Sequence, residues 1–164
     1  MPHPTTQAFV LGVVSGMRAA LGPALVSHRL SGSGSADLGR LNFMRSPTAA
    51  AILKVAAAGE LVGDKLPMTP ARVEPGPLLG RALSGALCGA VLGRSAPDNS
   101  AIRRSARRKG ATGAVIGALG AVVGAYAFYA LRRELTQGGL PDVAVALAED
   151  ALAVTGGLAG LERS

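Results

Sequence analysis

Aromatic residues are nearly absent: the chain has no tryptophan, three phenylalanines and two tyrosines. A water-soluble core draws much of its buried area from such rings, so this chain is not composed to make one. Charge is also scarce, at 16% of residues against roughly 25% in a typical soluble domain. The lone cysteine, Cys88, excludes an intrachain disulfide and a cysteine-based zinc site. HExxH, the Walker loop, GxSxG and CxxC are all missing. His3 and His28 sit near the ends of an apolar run without clustered ligands. No catalytic constellation, metal site or cofactor is expected. Net charge is +7, but a nucleic-acid surface also needs stacking aromatics, so no nucleic-acid partner is expected either.

What is present is alanine, leucine, valine and 23 glycines, with 49% of the 164 residues hydrophobic. That length makes one domain. Five apolar runs stand out: 8–27, 47–66, 77–93, 110–131 and 141–161. Most approach the ~20 residues that cross ~30 Å of hydrocarbon at 1.5 Å per residue. The expectation is an all-α, polytopic transmembrane bundle of about five Gly/Ala-rich spans. The missing aromatic belt speaks against it; the run lengths outweigh that. MPHPTTQ has no basic n-region, so the first run reads as a retained anchor rather than a cleaved signal. Pro23 is expected to kink it. Gly85, Gly89 and Gly93 make one bare ridge, and Gly113, Gly117, Gly120 and Gly124 another, as in helices that pack backbone to backbone in lipid.

Five spans place the loops alternately. One side receives Arg29, Arg40, Arg45, the six basic residues from Arg94 to Lys109, and Arg163; the other receives Lys65, Arg72, Arg81, Arg132 and Arg133. The excess predicts an inner-membrane protein with its N-terminus outside and its C-terminus cytoplasmic, in contact with membrane lipid. A homo-oligomer or another membrane protein is a further possible partner. VAAAGELVGDKL in run two resembles AVALAEDALAVT in run five. Runs one–two and four–five are therefore candidates for an inverted repeat, a transporter architecture with its site near mid-bilayer.

Arg18, Glu60, Glu149 and Asp150 lie inside the runs. Each costs ~2.5–3.5 kcal/mol at a lipid-facing helix centre, so four would cost about 10 kcal/mol, comparable to a domain's whole stability. They must face one another, a water-filled cavity or a partner chain. Three readings follow: a buried ion-pair network in which Arg18 bridges Glu60 or Glu149, an ion or proton relay, and counter-charges from a partner. Asp64, Lys65, Arg72 and Arg81, among Pro67, Pro70, Pro75 and Pro77, read as a charged cluster at the membrane edge.

SGMR, GELVGDKLPMTPAR, LLGRALSGAL and ALAEDAL together resemble a family of small bacterial integral-membrane proteins, domain of unknown function four-one-two-six. The pattern is most specific at Glu60, Asp64, Lys65 and Pro67 combined with Glu149–Asp150. The resemblance implies a membrane location and carries no established activity. The sequence thus points to a small transporter or channel-like protein with a carboxylate/arginine site for a cation or proton. The alternative is a non-transporting scaffold or assembly factor packing through its glycine ridges. A lipid-modifying enzyme at the Asp64–Arg72 edge lacks a recognisable constellation.

Overall fold

The structure is a computed structural model that describes residues 4–32, 38–63, 73–94 and 100–162, with side chains undescribed at 100–105 and 162. Every regular element among them is helical: α1 (Pro4–Met17), α2 (Leu21–Ser31), a 3₁₀ helix (Gly39–Arg45), α3 (Pro47–Gly63), α4 (Pro75–Arg94), α5 (Ser100–Gln137) and α6 (Asp142–Glu162).

Local chemistry sets the boundaries. Ser46 is extended (φ −68°, ψ 130°), its carbonyl accepts from the Ala50 N–H, and Pro47 opens α3, the geometry expected of a serine N-cap with proline at the first helical position. Gly139 ends α5 at φ 91°. The Leu140 N–H donates to the Leu135 carbonyl and the Gly139 N–H to that of Thr136, the paired bonds of a Schellman motif. The chain then reverses through Pro141 into α6, with Asp142 in its first turn, where the helix dipole favours an acid.

Run one is not a single span. It breaks at Arg18–Ala20 and folds back as the hairpin α1–α2. A methyl at Gly22 would meet Ser15 Oγ and lie 3.3 Å from the Leu11 carbonyl, far closer than the ~16 Å separating such residues in one straight helix. Pro23 explains the position of the break. A proline ring clashes with the carbonyl four residues earlier, here that of Ala19. The disruption therefore falls a turn before Pro23, and Pro23 itself sits in the first turn of α2, where its missing N–H costs nothing.

The five-span expectation is corrected accordingly. Among the described residues, three helices are long and apolar enough to cross a membrane: Pro75–Arg94, Ala106–Gln137 and Asp142–Leu161. α1 has 14 residues, α2 has 11 and α3 has 17. At 1.5 Å per residue, α1 reaches only about 21 Å. The stretch Ser100–Lys109, read as loop, is the first part of the 38-residue α5. The proposed inverted repeat also fails as architecture, since one unit holds a broken hairpin and the other two long helices. The N-terminal and C-terminal helices share an end: Gln7 Nε2 donates to the Gly160 carbonyl at 3.3 Å. The expectation of termini on opposite sides rested on run one being one continuous helix, and it is broken.

Backbone-to-backbone packing holds the bundle. α4 and α5 run antiparallel, with Gly85 against Gly117, Gly89 against Gly113, and Gly93 against the Lys109 carbonyl. α1 lies on the neighbouring flank of α5, with Gly12 against the Gly117 carbonyl, Gly16 against that of Ala121, and Gly120 and Gly124 against the Phe9 and Val13 carbonyls. Three helices therefore cross at Gly12, Gly85 and Gly117. Leu11, Val26, Leu38, Met44, Cys88, Val91 and Leu161 fill the core beside them. Large apolar side chains face outward, including Ile52 and Val55 on α3, Leu83 on α4, Leu119 on α5 and Leu147 on α6. Small residues within and large apolar ones outside suit a bundle solvated by lipid.

This packing separates two kinds of glycine. Gly117→Val places atoms on the Gly85 carbonyl and is expected to destabilise by about 3 kcal/mol or more. Gly59 has open space where a Cβ would stand, so Gly59→Ala is expected to stabilise α3 by about 0.5–1 kcal/mol. Unfolding in detergent micelles, followed by circular dichroism, checks both.

Candidate functional site

The site is the tip of the hairpin, Arg18–Ala20. A helix break strands carbonyls on one side and N–H groups on the other, and each unsatisfied group in lipid costs several kcal/mol. Here side chains from two other helices take them. The Ala19 and Ala20 N–H groups donate to Glu60 Oε1 and Oε2 at 2.8 and 2.9 Å. Arg81 Nη1 donates to the Gly16 and Met17 carbonyls at 3.2 and 2.8 Å. Glu60 thus meets the positive end of α2 and Arg81 the negative end of α1, each matching the helix dipole. The two caps also pair with each other, Arg81 Nη2 to Glu60 Oε1 at 3.4 Å.

Arg18 leaves the tip on the other flank. It is 2% exposed, and its Nε donates to Asp150 Oδ1 of α6 at 2.8 Å, with Nη2 ion-paired to the same oxygen. The adjacent Glu149 is also buried and faces Arg132 of α5, Nη1 to Oε2 at 3.9 Å. Arg132 in turn holds Asp142 through Nε at 2.8 Å and Nη2 at 2.6 Å. The Asp142 side chain is 61% exposed, so Arg132 lies between the buried Glu149 and solvent.

Of the four charges inside the apolar runs, three therefore gather at one loop. Asp150 lies on Arg18 and Glu60 on the backbone of Ala19–Ala20, while Glu149 faces away toward Arg132. Among the described residues no three His, Cys, Asp or Glu side chains form a group able to hold a metal ion. Arg18 pairs with Asp150, where the network reading expected Glu60 or Glu149. Arg81 was placed at the membrane edge; it is 5% exposed at the tip instead. α4 begins at Pro75, so Arg81 lies nearly two turns inside the helix. Asp64, Lys65 and Arg72 lie outside the described residues. The glycine ridges of α4 and α5 meet α5, α4 and α1 within the chain.

Arg132 and Asp142 were not singled out from sequence as site residues. Their signal was present: a helix-ending arginine, a two-glycine turn and an aspartate opening the next helix, which a tight reversal brings face to face. Chemically the tip offers carboxylates and guanidinium groups in an apolar shell. Comparison of the chain with protein-family models, curated proteins and solved structures finds no match.

The Arg18–Asp150 pair is testable by its asymmetry. Removing one partner strands a buried charge, so Arg18→Leu or Asp150→Leu is expected to cost about 3–5 kcal/mol. The double substitution removes both charges and is expected to recover most of that loss. A thermal unfolding cycle over the four proteins measures the coupling.

Proposed function

We propose that the protein is a small inner-membrane transporter or channel-like protein that handles a proton or a cation at the hairpin tip. The observation that carries this reading is a broken helix inside an apolar bundle whose ends are held by buried ionic side chains. Discontinuous helices and intramembrane acids are the usual materials of ion pathways. Asp142, Arg132 and Glu149 supply a route inward from one end, and Asp150–Arg18 continues it to the tip. A proton or cation arriving at Asp150 neutralises the carboxylate and weakens its hold on Arg18. That loosens the tip from α6 while Glu60 and Arg81 keep its backbone capped. In this reading α3 crosses as a short span beside α4, α5 and α6, and α1–α2 enters from the basic end without crossing. The excess of basic residues puts that end, with both termini, in the bacterial cytoplasm. The resemblance to the domain-of-unknown-function family belongs to the same proposal.

The scaffold alternative draws on a different observation. Gly59 and Gly63 on α3, and Gly76 and Gly80 on α4, have nothing within 4 Å of a built Cβ, so these bare stretches are where a partner helix or a second copy would pack. Gly59→Leu combined with Gly63→Leu should then shrink the particle seen by size-exclusion chromatography with light scattering.

Transport itself is tested in proteoliposomes with an entrapped pH dye and imposed cation gradients. Glu149→Gln combined with Asp150→Asn should abolish flux, with circular dichroism confirming the helical fold. Flux equal to wild type in that protein would refute the relay.

A further inference from the structure

Among the residues whose side chains are described, the two ends of the bundle differ sharply in charge. α4 and α5 leave the apolar region at one level, where Gly93 meets the Lys109 carbonyl and Gly110 lies against the Arg94 side chain. Arg94 also reaches the 3₁₀ helix, with Nη1 donating to the Leu38 carbonyl at 3.1 Å. A Cβ at Gly39 would stand 3.9 Å from that nitrogen. This places Arg40, next in sequence, at the same end of the bundle as Arg107, Arg108 and Lys109, and all four side chains are exposed. The acids with described side chains are Glu60, Glu74, Glu134, Asp142, Glu149 and Asp150. Each lies at the hairpin tip or toward the opposite end. No described acid offsets the basic group.

Depth matters as much as sign. At 1.5 Å per residue, Arg107–Lys109 stand within about 5 Å of Gly110, where α5 becomes apolar. The polar headgroup layer is roughly 5–7 Å thick on each face of a bilayer. α5 is one unbroken helix through this junction, so the cations are carried rigidly at phosphate depth. An RNA or DNA surface would offer a series of aromatic stacking platforms; here the exposed Phe43 of the 3₁₀ helix stands at this end, while Phe9 lies against Gly120 and the aromatics at 126, 128 and 129 lie toward the other end of α5.

We propose that Arg40, Arg107, Arg108 and Lys109 form a docking surface for the phosphate headgroups of anionic phospholipid. The surface is separate from the hairpin tip and does not depend on what the tip transports. Each basic residue at the membrane surface favours anionic lipid by about fivefold, so three together are worth roughly a hundredfold.

The test uses the full chain in neutral detergent micelles, with lipid binding read by native mass spectrometry. Phosphatidylglycerol should bind at least tenfold more tightly than phosphatidylcholine of the same acyl chains, and 1 M salt should collapse the preference, because charges are then screened within about 3 Å. Arg107→Gln, Arg108→Gln and Lys109→Gln together should bring the two lipids near parity, while Arg133→Gln at the opposite end should leave the preference intact. Equal binding of the two lipids by wild type overturns the proposal, as does a preference that survives salt or the triple substitution. Displacement of phosphatidylglycerol by inorganic phosphate alone, or by a short oligonucleotide at matched charge, also overturns it. The wild-type salt titration decides the matter even if the triple variant does not fold.

Discussion

A helix cannot stop inside an apolar bundle unless something takes its stranded backbone groups, and that constraint organises this protein. Pro23 disturbs the helix at Ala19, and here the chain breaks and reverses. Two N–H groups and two carbonyls at the break are taken by Glu60 and Arg81. Because each cap carries the charge that its helix end favours, the caps neutralise the helix dipoles and then each other. The hairpin is thereby locked to α3 and α4, and Arg18, at the apex, is turned toward α6.

The glycines make this reach possible. Arg81 reaches the Gly16 and Met17 carbonyls because α4 and α1 pack against adjoining flanks of α5, and that closeness requires bare backbone at Gly12, Gly85 and Gly117. Packing and electrostatics are therefore one device. A methyl at the crossing would push apart the helices whose separation sets the length of every ion pair at the tip. The exterior follows the reverse logic, with leucine, isoleucine and valine outward, where lipid rather than water is the fitting solvent.

Ionic groups surround the tip on two flanks with different roles. The Glu60–Arg81 flank satisfies backbone and is structural in the first instance. On the other flank Arg18 pairs with Asp150, and Arg132 faces both Glu149 and the exposed Asp142.

The sequence by itself determined the membrane-compatible composition, the helical runs at 77–93, 110–131 and 141–161, and the identity of the four interior charges. These are legible because apolar length and the cost of a buried charge are local quantities. It also held the hairpin signal in Pro23, but a proline shows only that a helix is disturbed, not whether it bends or reverses. Only the tertiary structure decided that run one turns back, that Arg18 chooses Asp150, and that Arg81 is a cap inside the bundle rather than a charge at its edge. The reason is physical. Pairing between residues more than sixty positions apart, such as Arg81 and Met17, depends on which helix flanks meet, and near-uniform Gly/Ala faces leave that choice to three-dimensional packing.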